Sequence, residues 1–180
     1  MKKLCVILTL ALILCLMVGC QDKEAMAELE AMKAQAEVEE QNEELIRKTF
    51  EAWGKGDFVT MKELLAPDYA FYYPSGSTKP WSQEETIEFG KMLRKAFPDI
   101  SFSMEELIAV GDRVIFRFIQ RGTHEEEYMG IPATGNKIES SGILIARIEN
   151  GKVVEQREEF DQLGLMQQLG MELKPKEKEK

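Results

Sequence analysis

Hydrophobic positions change their spacing several times along this chain. From Leu4 to Val18 they run on without a charge, a block shorter than the roughly 20 apolar residues that span a bilayer. From Gln21 to Glu44 they thin to a stripe of Met26, Leu29 and Met32 among alanines, nine acids and two lysines. Helix propensity is good there, but the apolar face is too narrow to bury a core. From Leu45 the spacing becomes that of a core-facing helix. Leu45, Ile46, Thr49, Phe50 and Trp53 share one face, and Gly54-Lys55-Gly56 ends the run. Asp57 is placed to cap a second, shorter helix whose Phe58, Met61, Leu64 and Leu65 point inward and which closes at Pro67. Asp68 to Tyr73 alternates as a short strand, and Pro74 to Ser77 reads as a loop. Ser82 and Glu85 have capping-box spacing and open a helix through Ile87, Phe89, Leu93 and Phe97 that Pro98 stops.

Beyond Pro98 the period is two. Phe102, Met104 and the run Leu107 to Val110 predict a strand. Arg113 to Arg121 alternates Val114, Phe116 and Phe118 against Arg113, Arg117 and Arg121, whose arginines read as a solvated face. After a break at Gly130 to Asn136, a strand is expected from Lys137 to Ile148. Asn150-Gly151 signals a two-residue hairpin into Lys152 to Phe160, and a short amphipathic helix follows from Leu163 to Leu169. Helices followed by three or four long antiparallel strands indicate an α+β fold. A curled sheet with the N-terminal helices across one face encloses a cone, whose mouth suits a small molecule.

Met1-Lys2-Lys3 ahead of the apolar run, and Gly19-Cys20 followed by Gln21-Asp22-Lys23-Glu24 behind it, form an export signal. Leu16-Met17-Val18-Gly19-Cys20 resembles the lipobox of bacterial lipoproteins, which implies that Cys20 is acylated and becomes the mature N-terminus. The expected organisation is a signal peptide at 1–19, an acidic helical stalk at 20–41, a domain at 42–171 and a charged tail at 172–180. An exported lipoprotein anchored in the bacterial cell envelope follows from that reading; the alternative is a plain signal peptide, or an uncleaved anchor, in which Cys20 is incidental. Two or three acyl chains hold a protein to a membrane essentially permanently.

Charge and rare residues narrow the chemistry. The 180 residues carry a net charge of −9, and losing Lys2 and Lys3 makes it −11, which argues against a nucleic-acid partner. Cys5, Cys15 and Cys20 all lie in the first twenty residues. The remainder therefore has no cysteine nucleophile, disulfide or cysteine-ligated metal. One histidine, His124, excludes any site needing two, and no metal site is expected. Gly130 to Gly135 lacks the lysine and following helix of a phosphate loop. Acid/base chemistry, if present, rests mainly on carboxylates.

Gly122-Thr123-His124, then Tyr128-Met129-Gly130-Ile131-Pro132-Ala133-Thr134-Gly135, resembles the signature of SnoaL-like polyketide cyclases, also called ester cyclases. Ile148 to Glu155, through Asp161 and Leu163-Gly164-Leu165-Met166-Gln167-Gln168-Leu169-Gly170, is similar to the family's C-terminal motif. The resemblance implies the cone-shaped fold of the nuclear transport factor 2 superfamily and a homodimer. It also implies aldol closure of a ring without metal or cofactor, with Asp161 as acid/base and His124 assisting. Arg157 stands where these cyclases usually carry tryptophan, and Glu125-Glu126-Glu127 follows the histidine, so the site is expected to be more polar than theirs.

Residues of one parity on a strand share a face, so Arg157, Glu159 and Asp161 are expected along one pocket wall. The two carboxylates, Glu159 and Asp161, raise one another's pKa while Arg157 opposes this, leaving the net sign open. Asp161 also stands where it can cap the last helix. His124 also reads as a strand residue paired with the acids after it. Tyr69, Phe71, Tyr72, Tyr73 and Trp81 form an aromatic cluster that lines a ligand cavity or simply fills core, with Tyr73 and Trp81 the pocket candidates. Two functions remain open on the residues. One is a cofactor-free cyclase or isomerase acting on a small carbonyl compound. The other is a non-catalytic module that binds a hydrophobic ligand or a partner protein.

Overall fold

The computed structural model describes the backbone of residues 2–172 and 174, and side chains from Lys23 onward. The expected signal peptide, Cys20 and most of the charged tail therefore lie outside the described side chains. Two units divide between Glu39 and Glu40. In the first, Lys23 to Val38 are exposed throughout, Met26, Leu29 and Met32 included. Among the described residues no helix is long and apolar enough to cross a membrane. Among the described residues the second unit holds every buried core residue, from Ile46 to Leu169, so it has its own core and can fold on its own.

Helix α1 runs Lys2–Lys55. It stops at Gly56, whose φ of 70° suits glycine. Gly56 N–H donates to Trp53 O (3.1 Å) and Asp57 N–H to Ala52 O (2.9 Å), the paired bonds that close a Schellman cap. Asp57 turns the chain directly into α2 (Phe58–Leu64) by accepting from the Thr60 N–H at 3.1 Å. The expected extension of α2 to Pro67 is not seen: strand β1 begins at Leu65 and runs Leu65–Tyr72. Proline is tolerated there because β1 is an edge strand and needs no N–H on its free side. Helix α3 (Gln83–Ala96) opens with the Ser82/Glu85 capping box.

Strands β2 (Ser101–Val110), β3 (Arg113–Thr123), β4 (Lys137–Glu149) and β5 (Lys152–Phe160) form successive antiparallel pairs. Asn150 and Gly151 both have positive φ, 51° and 70°, as a tight type I′ hairpin requires. The order is β1-β5-β4-β3-β2, and β1 joins β5 in parallel. The sheet is therefore mixed, where the spacing had predicted antiparallel strands alone. A return from the end of α2 to the sheet edge leaves β1 running alongside β5.

Alternation sets two faces. Val114, Phe116 and Phe118 of β3, and Leu144, Ala146 and Ile148 of β4, are buried on the inner face. Arg113, Arg117 and Arg121 lie on the other, as the arginine spacing predicts. Two glycines permit close packing on the inner side. A Cβ at Gly142 would lie 2.6 Å from the Phe118 ring, and one at Gly90 2.7 Å from both Phe58 and Trp53. Helix α3 thus approaches α1 and α2 closely, and the Arg94 guanidinium lies over the Trp53 and Phe58 rings at 5.6 and 5.4 Å.

Helix α4 (Gln162–Gln168) closes the unit, with Asp161 as its N-cap. The Asp161 carboxylate accepts from Gly164 N–H at 2.8 Å. A side chain at residue 164 would collide with that carboxylate, so the Asp-Gln-Leu-Gly run is one capping device. Asp161→Ala is expected to lower the stability of the Glu40–Lys180 unit by about 1 kcal/mol in urea unfolding, and Asp161→Asn by clearly less. Equal losses would show that the cap is not what Asp161 contributes.

Candidate functional site

Between the inner sheet face and the helices lies a cavity. Helix α1 contributes Ile46, Thr49, Phe50 and Trp53, α2 contributes Met61, and α3 contributes Thr86, Phe89 and Leu93. The sheet contributes Phe71, Phe102, Phe116, Phe118, Gln120, Leu144, Gln156, Glu158 and Phe160, and the flanking segments Tyr73 and Tyr128. Water centres can occupy about 80 Å³ of it, room for several waters or one small organic molecule. The walls are aromatic. Phe50 meets Phe116 edge-on at 5.3 Å, and Phe118 stacks parallel to Phe160 at 6.3 Å.

Glu158 is the one carboxylate among the lining residues. It follows from strand geometry: Gln156, Glu158 and Phe160 share the inner face of β5, with Glu158 opposite Leu144 of β4. Glu158 is half-buried as a residue and lines the cavity, among mainly apolar side chains. Burial in these aromatic surroundings pushes its pKa up to about 8, and the neighbouring Glu159 charge adds to the rise. Among the described residues no hydrogen bond or ion pair holds this carboxyl.

Tyrosines complete the polar part of the site. Burial and the Glu158 charge raise the Tyr73 hydroxyl well above its usual range, and push Tyr128 up to about 12. Both phenols remain neutral donors at physiological pH. Tyr69 is raised by the same two causes and donates to the Gln156 side-chain oxygen, which fixes that amide in the cavity wall. Thr49 and Thr86 hydroxyls are occupied by the Leu45 and Ser82 carbonyls, at 2.8 and 2.9 Å.

The residues expected from the sequence separate. Tyr73 lines the cavity as expected. Trp81 stands one layer behind, paired with Phe71 through backbone hydrogen bonds and packed edge-on against Phe71 and Phe89 at 5.6 and 5.2 Å. Arg157 and Glu159 occupy the opposite face of β5. Arg157 lies 4.0 Å over the Tyr72 ring and donates to Glu155 (2.8 Å) and to the Ser75 carbonyl (3.1 Å). Glu159 is exposed and accepts from the Ser75 hydroxyl. Asp161 is exposed at its cap. The common pocket wall expected for Arg157, Glu159 and Asp161 does not form, because the inner parity is that of Phe160.

His124 is wholly buried, at 0% exposure, and it is not paired with Glu125 to Glu127. Its ring stacks on Phe97 at 5.1 Å, and its Nδ1 lies 3.1 Å from the Thr134 hydroxyl and 3.3 Å from the Thr134 N–H. It pins the segment between β3 and β4, which carries Tyr128, and does not line the cavity.

Glu158, Gln120 and Tyr128 were missed, yet two signals point to them. Phe160 fixes the inner parity of β5, and Gln120 continues the apolar series Val114, Phe116, Phe118 with a polar residue. A bulge hides the first signal: Ile148 pairs with Val153 but Arg147 with Glu155, leaving Val154 unpaired. Val153 and Phe160 therefore both face inward with opposite parity, and counting from Val153 selects the wrong face.

The profile of the SnoaL-like polyketide cyclase family matches residues 43–169. No curated protein sequence matches the chain. AclR from Streptomyces galilaeus, provisionally named a hydroxylase, superposes with a TM-score of 0.67 at 26% identity, covering 73% of this chain and 97% of its own. IdmH from Streptomyces antibioticus, provisionally named a polyketide cyclase, superposes at 0.64 with 30% identity, covering 73% and 99%. A SnoaL-like protein from Jannaschia gives 0.67 at 21% identity over 76% and 96%, a likeness of fold alone. With its curved five-stranded sheet roofed by the N-terminal helices, of the nuclear transport factor 2-like type, the chain belongs to the SnoaL-like polyketide cyclase family, whose members bind small-molecule substrates.

Proposed function

We propose that this protein performs cofactor-free acid/base chemistry, an aldol cyclisation or an isomerisation, on a small uncharged carbonyl compound, with Glu158 as the acid/base group. The observation that carries the reading is an unpartnered carboxyl in an aromatic cavity, where burial pushes its pKa up to about 8. A base titrating near the working pH balances availability against proton affinity. Ionised Glu158 takes a proton from the carbon next to the carbonyl, leaving an enolate. The enolate carbon then attacks a second carbonyl, or is reprotonated elsewhere. The proton held by Glu158 returns to the new alkoxide or carbon, and the carboxylate is regenerated. Tyr73 and Tyr128 supply neutral O–H donors for the oxygen on which charge develops.

The aromatic lining by itself also supports the second reading, a binding module without turnover. Proton exchange separates the two. The Glu40–Lys180 unit incubated with 2-tetralone in deuterium oxide is expected to speed exchange of the α-protons, followed by proton NMR. The rate should rise about tenfold per pH unit below 8 and level off above it. Glu158→Gln should lower it by about 10²–10⁴-fold, and Asp161→Asn should leave it unchanged. Exchange lost in Asp161→Asn and kept in Glu158→Gln would reverse the assignment. Binding of 2-tetralone without exchange would favour the module.

We also propose the envelope lipoprotein expected from Gly19-Cys20, and a homodimer formed through the outer sheet face. That face exposes Ile108, Val110, Ile115 and Ile143. It is bordered by pairs of both signs, Arg121–Glu139 and Arg157–Glu155 among them. An apolar centre with a mixed rim is self-complementary, which is what two-fold symmetry requires. Membrane-extracted protein should carry acyl mass on Cys20 as its first residue and sediment at twice the chain mass. The Ile143→Glu variant should sediment as a monomer. A first residue other than Cys20 would end the anchor proposal, and an unaltered dimer in the variant would end this interface.

A further inference from the structure

One polar group in the cavity has no part in the acid/base step. Gln120 is only 6% exposed, yet its side chain lines the cavity. Among the described residues its amide has no hydrogen-bond partner. Ser140, directly opposite on β4, is also buried, and its hydroxyl is likewise unpartnered. An amide that lines a mainly apolar cavity and has no partner in the protein can take one from a ligand atom.

Its position gives the ligand a length. Glu158 lies opposite Leu144, which lies opposite Phe116. Gln120 is four residues further along β3, about 13 Å at roughly 3.3 Å per residue. Phe118 and Phe160 occupy the interval on β3 and β5, stacked parallel. The cavity therefore has a carboxyl towards one end, an amide towards the other and aromatic walls between. No lysine, arginine or histidine lines it, so an anionic group at the amide end would be desolvated without a counter-charge.

Resting on the reading of Glu158 as the acid/base group, we propose that Gln120 is the specificity-determining residue. It hydrogen-bonds a neutral hydroxyl or carbonyl oxygen at the far end of an elongated, flat, uncharged substrate, opposite the carbonyl handled by Glu158. An amide donates through its NH₂ and accepts through its oxygen, so either oxygen type is read. Substrates lacking that oxygen leave the amide unpaired and are rejected.

The test uses two probes of one shape, 2-acetylnaphthalene and 6-acetyl-2-naphthol, titrated calorimetrically into the Glu40–Lys180 unit. The naphthol is expected to bind about tenfold more tightly, the gain of one hydrogen bond to the amide. In Gln120→Leu that advantage should vanish while 2-acetylnaphthalene binds at least as well, which also shows the variant to be folded. Gln120→Met serves as a second variant. Equal binding of both probes to the unaltered protein overturns the proposal for Gln120 and leaves the cavity reading standing. An advantage that survives in both variants overturns it too, by placing the contact elsewhere. If neither probe binds the unaltered protein, the proposal falls together with the reading of the cavity as a carbonyl site.

Discussion

A carboxyl group buried among aromatic rings with no cation to hold it is the constraint on which this site depends. Glu158 cannot ionise at its ordinary pH, because the charged form loses its water and gains no partner. The carboxyl is mostly neutral at pH 7, able to donate to a carbonyl oxygen and to ionise when a proton is to be taken. That condition costs stability with a definite sign. The folded pKa is raised above that of the unfolded chain, so the folded state holds the extra proton between about 4.5 and 8. Stability therefore falls as pH rises through that window and is level beyond it. Glu155, by contrast, is held by Arg157 on the opposite face of β5.

The surrounding architecture encloses Glu158 among apolar side chains. Phe71, Phe102, Phe116, Phe118 and Phe160 give the sheet side of the cavity its aromatic surface, and Gly142 lets Phe118 lie flat against Phe160. Gly90 lets α3 pack closely on the Trp53 and Phe58 rings of α1 and α2, with Arg94 over both. His124 serves this enclosure from the core: it anchors the segment that delivers Tyr128, and its imidazole never reaches the cavity. The outer face collects the charged pairs, where they are solvated and weak.

Much of the fold was legible because its signals are local. The Ser82/Glu85 box, the Asn150-Gly151 hairpin and the Asp57 cap each specify their own backbone. Family blocks around His124 and Asp161 identified the superfold, and the matching family confirms it. The chemistry was less legible, since both emphasised residues turn out to hold structure: His124 a loop, Asp161 a helix end. Facing is decided by register, and one bulge at Val154 reverses parity along β5. Phe160 carried the correct parity, and a polar residue continuing an apolar face, Gln120 after Phe118, was the signal left unread. The parallel pairing of β1 to β5 is a long-range choice that no local pattern encodes.

The central claim is that Glu158 is a cavity-held carboxyl that titrates near neutrality. Carbon-13 NMR of the glutamate side-chain carboxyls in the Glu40–Lys180 unit, with Glu158→Gln to assign the signal, measures this directly. One resonance, absent from the variant, is expected to titrate with a midpoint near 8. A midpoint for Glu158 in the ordinary range, near 4.5, would mean that water or a cation reaches the carboxyl, and the account of the site would be wrong.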